Sequence, residues 1–273
     1  MSTTTLTAEL PARRTSTLRR PRLINAELLK LRKRRGLVAS GLALTLLPMI
    51  IAYTILLIVH ATNSAKHGPA GGLRNFSDSV DLLTTLSVIT AILIGSTLGA
   101  GDLGSGVFRE LVVTGRSRLA LFAARIPAGL ALLWAFVGAG FAVTATASNV
   151  FAGSLQAPSG TLLVETAGWL ALVSAMSLVV ALAVSSVVGS RGTTIGIVFA
   201  WQIVVTPLLL QIKALGSLRE GLLGGATAKL QPSGLLNHPT HVGMSVAAAV
   251  GVAVVWATVA LALGAWRTAA RDA

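Results

Sequence analysis

Hydrophobic residues fall into six long runs that are separated by shorter polar segments. The runs cover residues 37–59, 82–100, 119–150, 162–188, 193–212 and 242–266. Each is close to or above the about 20 apolar residues that an α-helix needs to cross the hydrocarbon core of a bilayer. The pattern therefore predicts an all-α, polytopic integral membrane protein with six transmembrane helices.

Ionisable residues are confined to the ends of these runs. Asp78, Asp81 and Glu165 fall where water or lipid headgroups can solvate them, and Arg125 lies near the start of the third run. Ion-coupled carriers and charged-ring channels usually hold ionisable groups at membrane depth. The pattern weighs against both classes, so the energy for any transport should enter from outside the membrane domain.

Prolines and a short turn predict the shape of individual helices. Pro48 and Pro207 lie in the middle of the first and fifth runs, where each predicts a local kink. The fourth and fifth runs are separated only by residues 189–192. A turn this tight makes the two helices antiparallel neighbours.

Small residues four positions apart suggest faces where helices approach closely in lipid. Such spacing also arises by chance in a chain with 28 glycines, so each face is a hypothesis. The candidate faces are Gly95 with Gly99, Gly192 with Gly196, and Gly243 with Ala247 and Gly251.

Uncharged polar residues in the second and fifth runs are candidates for a translocation path. They are Thr84, Thr85, Ser87, Thr90, Gln202 and Thr206. Such side chains can line a path for an amphiphile, but in membrane helices they also bond to the backbone of the same or a neighbouring helix. The sequence leaves both interpretations open.

Composition supports the membrane assignment and limits the possible partners. Hydrophobic residues make up 53% of the 273 residues and charged residues 11%, where about 25% charged is usual in soluble domains. The net charge is +13, and 17 of the 22 Lys and Arg residues fall in the alternate polar segments that include both termini. The positive-inside rule places these segments in the cytoplasm, as in a multi-pass protein of the cell membrane. Topology and anionic lipids thus explain the basic charge, and we expect no nucleic-acid partner.

The first 22 residues form a polar segment rich in Ser, Thr and Arg. This segment has too little apolar surface to fold alone, which predicts a disordered cytoplasmic tail. An Arg- and Ser-rich, acid-poor start also fits an organellar transit peptide, which remains an alternative. Residues 23–273 form the predicted six-span domain.

Motifs for catalysis, metal binding and nucleotide binding are absent from the sequence. The chain has no H-E-x-x-H, G-x-S-x-G or G-x-x-x-x-G-K-[ST] motif and no cysteine. His238 and His241 are close enough in sequence to share a metal ion, but two ligands alone make a weak site. We therefore expect no catalytic residues, no metal and no cofactor, which argues against an intramembrane enzyme.

Residues 23–35 predict a basic amphipathic helix before the first span. Three apolar residues share one helical face, three basic residues lie towards the other, and Gly36 is expected to end the helix. The two sets are Ile24, Leu28 and Leu31, and Lys30, Lys33 and Arg34. Such a helix lies in the membrane interface on anionic lipid, unless its charges serve only as a topology signal.

Residues 102–114 predict a short helix between the second and third spans. Asp102 is placed to cap its N-terminus and Gly115 to end it, and Ser117 can cap the third span. An apolar stripe beside charged residues suits the docking of a soluble partner, whereas the alternative is a helix lying flat on lipid. The candidate contact residues are Asp102, Gly106, Phe108, Arg109, Glu110 and Leu111.

Taken together, these segments make the chain similar to permease subunits of the ATP-binding-cassette (ABC) type-2 exporter family. The likeness rests on GDLGSGVFREL at 101–111, TGRSR at 114–118, AR at 124–125, PSG at 232–234, the ending from WR at 266–267 to RD at 271–272, the basic N-terminal helix and the six-span layout. It implies an interfacial elbow helix at 23–35, a coupling helix at 102–114 and short helices in the outer loop 213–241. It also implies a separate ATPase subunit, contacted by Phe108, Arg109 and Glu110, and a second permease chain in a homodimer or heterodimer.

The resemblance favours a permease that exports a hydrophobic or amphiphilic compound, such as a drug, an antibiotic or a lipid-like molecule. ATP hydrolysis would then take place on the partner subunit, and this chain would not be an enzyme. The alternative is a non-transporting membrane scaffold, or an immunity or sensor protein that binds a hydrophobic ligand. Only the first hypothesis predicts an activity that depends on an ATPase.

Overall fold

The computed structural model describes residues 20–104, 117–237 and 243–270 and confirms the all-α prediction. The helices are α1 (Arg20–Lys33), α2 (Arg35–Thr45), α3 (Leu47–Thr62), α4 (Gly72–Gly104), α5 (Arg118–Val150), α6 (Gly160–Val188), α7 (Arg191–Phe199), α8 (Thr206–Gln211), α9 (Leu223–Lys229) and α10 (Val246–Ala270). A π-helical segment, Ala200–Val205, joins α7 to α8, and a 3₁₀-helix, Lys213–Gly221, lies between α8 and α9.

Six helical segments in the described ranges are long and apolar enough to cross a membrane. They are Arg35–Thr62, Gly72–Gly101, Arg118–Val150, Gly160–Val188, Arg191–Gln211 and Val246–Ala270. The six predicted spans are thereby confirmed. Helix α4 begins at Gly72, well before the hydrophobic run at residue 82, because its first turns carry charged residues that a hydropathy pattern excludes.

The centre of the bundle is the contact between α4 and α6. Among the described helices, this pair makes the most extensive contact. Gly99 faces α6 so closely that an added Cβ would lie 2.5 Å from the Cβ of Ser185 and 2.8 Å from the carbonyl oxygen of Leu182. The Ser185 hydroxyl also donates a hydrogen bond of 2.8 Å to the Ser96 carbonyl. The Gly95 and Gly99 pair is therefore a true helix-contact face.

The other predicted glycine faces are open within this chain. A Cβ added at Gly192, Gly196 or Gly251 would meet no atom within 4 Å, and one at Gly243 would meet only the Glu220 carboxylate at 3.6 Å. These positions do not hold the described helices together.

The turn between the fourth and fifth spans is as tight as predicted. Helix α6 ends at Val188, and Gly189 adopts the left-handed conformation with φ +76° that a side chain would disfavour. Ser190 then caps α7 by accepting the Thr193 N–H. Two residues thus reverse the chain, and the helices on either side contact each other.

Both predicted kinks coincide with interruptions of a helix. The first span breaks at Leu46, two residues before Pro48, which lies in the first turn of α3. In the fifth span the π-helical segment precedes Pro207, and the Thr206 N–H bonds to the Trp201 carbonyl five residues back. Proline lacks an N–H and clashes with the carbonyl four residues before it, so a widened turn is a common solution at this point.

Helix α1 packs on the bundle through its predicted apolar face and contacts α5. The residues of that face are Ile24, Leu28 and Leu31. The prediction that Gly36 ends this helix is wrong, because α1 ends at Lys33 and Gly36 lies in the first turn of α2. The chain turns instead at Arg34, with φ −78° and ψ 81°.

The turn at Arg34 has a physical reason at the end of α4. The Arg34 guanidinium lies against Gly101, with Nη2 3.0 Å from the position that a Cβ on Gly101 would take. The last turn of a helix carries partial negative charge from its unpaired carbonyls, which attracts a cation. Within α1, Lys30 pairs with the buried Glu27, and its Nζ lies 2.8 Å from Oε2.

The predicted coupling helix lies almost entirely outside the described residues. The candidates that fall there are Gly106, Phe108, Arg109, Glu110 and Leu111. Helix α4 continues through Gly104, so Asp102 lies inside its last turn, and the predicted cap at this residue is wrong. The predicted cap of the third span is confirmed, because Ser117 Oγ accepts the Ala120 N–H at 3.1 Å.

Candidate functional site

A cavity lies between α4, α6, the fifth span and α9. Its larger part has a volume of about 690 Å³ and adjoins a smaller part of about 230 Å³. Four of the six polar residues predicted for a translocation path line both parts: Thr84, Thr85, Gln202 and Thr206. A volume of this size suits a small organic molecule.

The other two candidates do not reach the cavity. Ser87 and Thr90 are buried, and their hydroxyls donate to the carbonyls of Thr84 and Leu86 in their own helix, both at 2.8 Å. An α-helix turns by about 100° per residue, which places Thr90 about 120° around α4 from Thr84, with Ser87 between them. The backbone-bonding interpretation fits these two residues, and the hydroxyls of Thr84 and Thr85 also donate to carbonyls of their own helix.

One face of α4 gives the cavity a gradient of polarity. Asp81 lines only the larger part, Thr84 and Thr85 line both parts, and Val88 lines only the smaller part. Asp81 and Val88 are seven residues apart, which is about 10 Å along the helix. The cavity is therefore polar near the start of α4 and apolar deeper in the span.

The π-helical segment forms the wall opposite α4. Trp201 and Gln202 belong to it, and Thr206 and Pro207 follow directly in α8. π-Helical turns occur often at functional sites, since the extra residue turns side chains to positions that a regular helix does not offer. The sequence gives only one signal for this turn, namely Pro207 in the middle of an apolar run.

Two tryptophans hold the segment that covers the cavity, which comprises the 3₁₀-helix and α9. The Trp169 indole N–H donates to the Thr227 carbonyl at 2.8 Å, and the Trp256 indole N–H donates to the Gly221 carbonyl at 3.0 Å. The short helices predicted in the outer loop are thus present. Each of these tryptophans therefore bonds to a backbone carbonyl outside its own helix.

Residues after α9 fix the polar end of the cavity to the start of α4. The Leu236 N–H donates to Ser77 Oγ at 3.1 Å, and Asn237 Nδ2 donates to Asp78 Oδ1 at 2.7 Å. Gln231 Nε2 donates to the Asn237 carbonyl at 2.7 Å. The first two bonds join residues 159 positions apart in sequence, so no local sequence pattern could have predicted them.

Two glutamines that line the cavity each hold a buried polar atom without a protein partner. Gln231 is only 8% exposed, and its Oε1 is buried without a hydrogen bond. Gln202 Nε2 is likewise buried and unbonded. Buried polar atoms without partners are uncommon and destabilise a fold unless water or a rearrangement supplies a partner.

A metal centre has no support in the part of the chain that the structure describes. There, no three His, Asp or Glu residues are grouped closely enough to hold a metal ion. His238 and His241, the one pair considered from the sequence, lie outside the described residues.

Comparison with known proteins shows to which family this chain belongs. Residues 23–208 match the family described as ABC-2 family transporter protein. The chain belongs to the ABC-2 transporter family. A search of curated proteins found none that matches the chain.

Membership of the ABC-2 transporter family makes this chain a multi-pass membrane permease, which is a transport component rather than a catalytic one. The matched residues include α4 and the π-helical wall, and they end inside α8. The cover segment and α10 lie beyond the match. The cavity of the ABC-2 permease is therefore lined by α4, α6 and the first part of the fifth span, which lie within the matched residues. Helices α9 and α10, which also line it, lie outside the match.

Proposed function

We propose that this chain exports a hydrophobic or amphiphilic compound, driven by ATP hydrolysis on a separate ABC ATPase subunit. The observation that supports this most is the cavity, whose walls combine apolar side chains with a few polar groups, as binding sites for small organic molecules do. The transporter would contain two permease chains. The compound would bind in the cavity, and nucleotide-driven closure of the ATPase would change its access.

Helix α4 is the element through which the ATPase would act. The first half of α4 lines the cavity with Asp81 to Val88, and its last residues overlap the start of the proposed coupling segment at 102–114. The distance between the two regions is about 25 to 35 Å along one continuous helix. A rigid helix of this length transmits a displacement at its end to the cavity wall, which is the basis of the proposed mechanism.

Reversing Arg109 and Glu110 together should weaken binding of the ATPase by about tenfold or more. Charges at an interface must match those of the partner, and two simultaneous reversals leave both unmatched without changing the net charge. The measurement is the dissociation constant between the purified permease in nanodiscs and the ABC ATPase that co-purifies with it. The variant is Arg109→Glu with Glu110→Arg.

A matched control exists on the other side of the predicted topology. The pair Lys213→Glu with Glu220→Lys also exchanges two charges at constant net charge, and it should leave ATPase binding unchanged. Equal affinity of both double variants for the ATPase would contradict the docking role of the 102–114 segment. Activity that needs no ATPase at all would instead favour the scaffold or sensor alternative.

Cysteine labelling should place the coupling segment in the cytoplasm and the turn between α5 and α6 on the opposite side. The chain has no cysteine, so Ser105→Cys and Ser154→Cys each create a single thiol. A membrane-impermeant maleimide added to intact cells should label Ser154→Cys, which lies in the exposed turn between α5 and α6, and not Ser105→Cys. Labelling of Ser105→Cys from outside would refute the proposed coupling through this segment.

A further inference from the structure

We propose that α10 carries ATPase-driven movement to the cover segment of the cavity, with Arg118 and Trp256 as the positioning residues at its two contacts. This inference rests on the proposed function and adds a second route to the one through α4. Three observations carry it: a bond between the start of α5 and the end of α10, close packing beside that bond, and a bond between α10 and the cover segment.

The end of α10 is joined to the residue at which the third span begins. Arg118, the first residue of α5, donates through Nη1 to the Ala269 carbonyl at 3.1 Å. The last carbonyls of a helix have no partner within it and carry partial negative charge, which a guanidinium offsets. The proposed coupling segment at 102–114 ends just before Arg118, so a movement of that segment acts directly on this contact.

A close packing contact lies beside this bond, about one turn further along each helix. Gly264 of α10 faces α5 so closely that an added Cβ would lie 2.7 Å from Cζ of Phe122. Phe122 is buried and follows Arg118 by one helical turn, so both contacts lie on the same side of α5. The start of α5 therefore holds the end of α10 at two points.

The buried face of α10 suits movement along the helix axis. Its buried residues are all small: Ala249, Ala253, Ala260, Gly264 and Thr268. Large side chains interlock with the grooves of a neighbouring helix, whereas small ones form low ridges. Among the described helices, α10 makes its most extensive contact with α6. A small sliding displacement along α6, as in shear movements of packed helices, would therefore need little repacking.

The other contact joins α10 to the cover segment. The Trp256 indole N–H donates to the Gly221 carbonyl at 3.0 Å, and Gly221 is the last residue of the 3₁₀-helix in that segment. Trp256 also lines the smaller part of the cavity. Trp256 and Ala269 are about 20 Å apart along one continuous helix. A shift of that helix would therefore move the cover segment and part of the cavity wall together.

Access to the cavity from water provides the test. Ala228 of α9 lines the larger part of the cavity, and the chain has no cysteine, so Ala228→Cys creates a single thiol there. A charged, water-soluble methanethiosulfonate modifies this thiol at a rate that reports the access. The rate is measured on the permease–ATPase complex in nanodiscs, without nucleotide and with ATP and vanadate, which traps ABC ATPases in the closed state. We expect the two rates to differ by about fivefold or more.

Arg118→Met in this background should reduce the difference to less than about twofold, because methionine keeps a flexible side chain but has no N–H to donate. Arg118→Lys should retain the difference, since an ammonium group also donates to the last carbonyls of a helix. Trp256→Phe keeps an aromatic ring and loses the indole N–H, so it should act as Arg118→Met does. The double variant should lose no more than either single variant, because both changes interrupt one route.

The matched control is Trp134→Phe. Trp134 of α5 also donates its indole N–H to a carbonyl of another helix, that of Ala171 at 3.1 Å, but it lines neither part of the cavity. This variant removes the same kind of bond away from α10 and should keep the native difference between the two rates. A loss as large as that in Trp256→Phe would contradict a specific route through α10.

Each positioning residue can overturn the inference alone, so the test remains decisive if one variant fails to fold. If Arg118→Met or Trp256→Phe kept the native difference, α10 would not carry the movement, and the proposed function would stand because the native complex still responds to nucleotide. Weaker ATPase binding by Arg118→Met would place Arg118 in the docking surface and refute its positioning role. If nucleotide changed the rate in no complex, the native one included, the proposed function would fail together with the inference.

Discussion

Replacing Gly99 by leucine should destabilise the bundle and lower the midpoint of its thermal unfolding by several degrees. A Cβ at this position would lie 2.5 Å from the Ser185 Cβ and 2.8 Å from the Leu182 carbonyl oxygen. The Leu182 carbonyl oxygen belongs to the backbone of α6 and cannot turn aside as a side chain can. Helices α4 and α6 would therefore have to separate. Overpacking a core costs about 1–3 kcal/mol, a large share of a total stability of about 5–15 kcal/mol. The midpoint of thermal unfolding of the purified protein measures the effect.

The control for this change is Gly251→Leu in α10. Position 251 is also a helical glycine in an apolar span, but a Cβ there would meet no atom within 4 Å. This variant should unfold at the temperature of the native chain, whereas Gly99→Leu should unfold several degrees lower or fail to yield monodisperse protein. If the two variants proved equally stable, the close approach of α4 and α6 could not be what holds the bundle together.

Features that depend on local sequence could be predicted well. The six hydrophobic runs predicted the six spans correctly, because a helix in lipid must satisfy its backbone hydrogen bonds internally and present apolar side chains along its whole length. The cap at Ser117 and the turn at Gly189 also depend on a few adjacent residues. The ends of α1 and α4 were less predictable. The conformation of Arg34 depends on contacts beyond its immediate neighbours, and Asp102 is helical because the long helix α4 continues through it.

The candidate site was predictable only in part, because it is assembled in three dimensions. The polar residues of the second span could be named from sequence, but whether they meet Gln202 depends on how α4 packs against the fifth span. Helical geometry could have separated Thr84 and Thr85 from Thr90, since about 100° per residue puts Thr90 on another face. Nothing local indicated that Trp169 would bond to the cover segment, because its partner lies 58 residues away.

The π-helical segment leads to the second large expected effect, which concerns binding in the cavity. Deleting Val204 removes one residue from the widened turn and favours regular α-helical bonding through the fifth span. The halves of the span before and after the deletion would then rotate relative to each other by about 100°. Gln202 lies in the first half and Thr206 in the second, so whichever half moves, the two residues no longer face the same cavity.

We expect the fluorescent amphiphile dansylcadaverine, whose emission rises in an apolar environment, to bind the deletion variant at least tenfold more weakly, which corresponds to about 1.4 kcal/mol or more. The midpoint of thermal unfolding should fall as well, because the rotation displaces either the buried Thr206 and Leu210 or the buried Val198. The substitution Val204→Ala keeps the length of the span and should change neither quantity. If the deletion variant bound dansylcadaverine as tightly as Val204→Ala does, the π-helical turn would not shape the site. The changed orientation of Gln202 relative to Thr206 would then have no effect on binding.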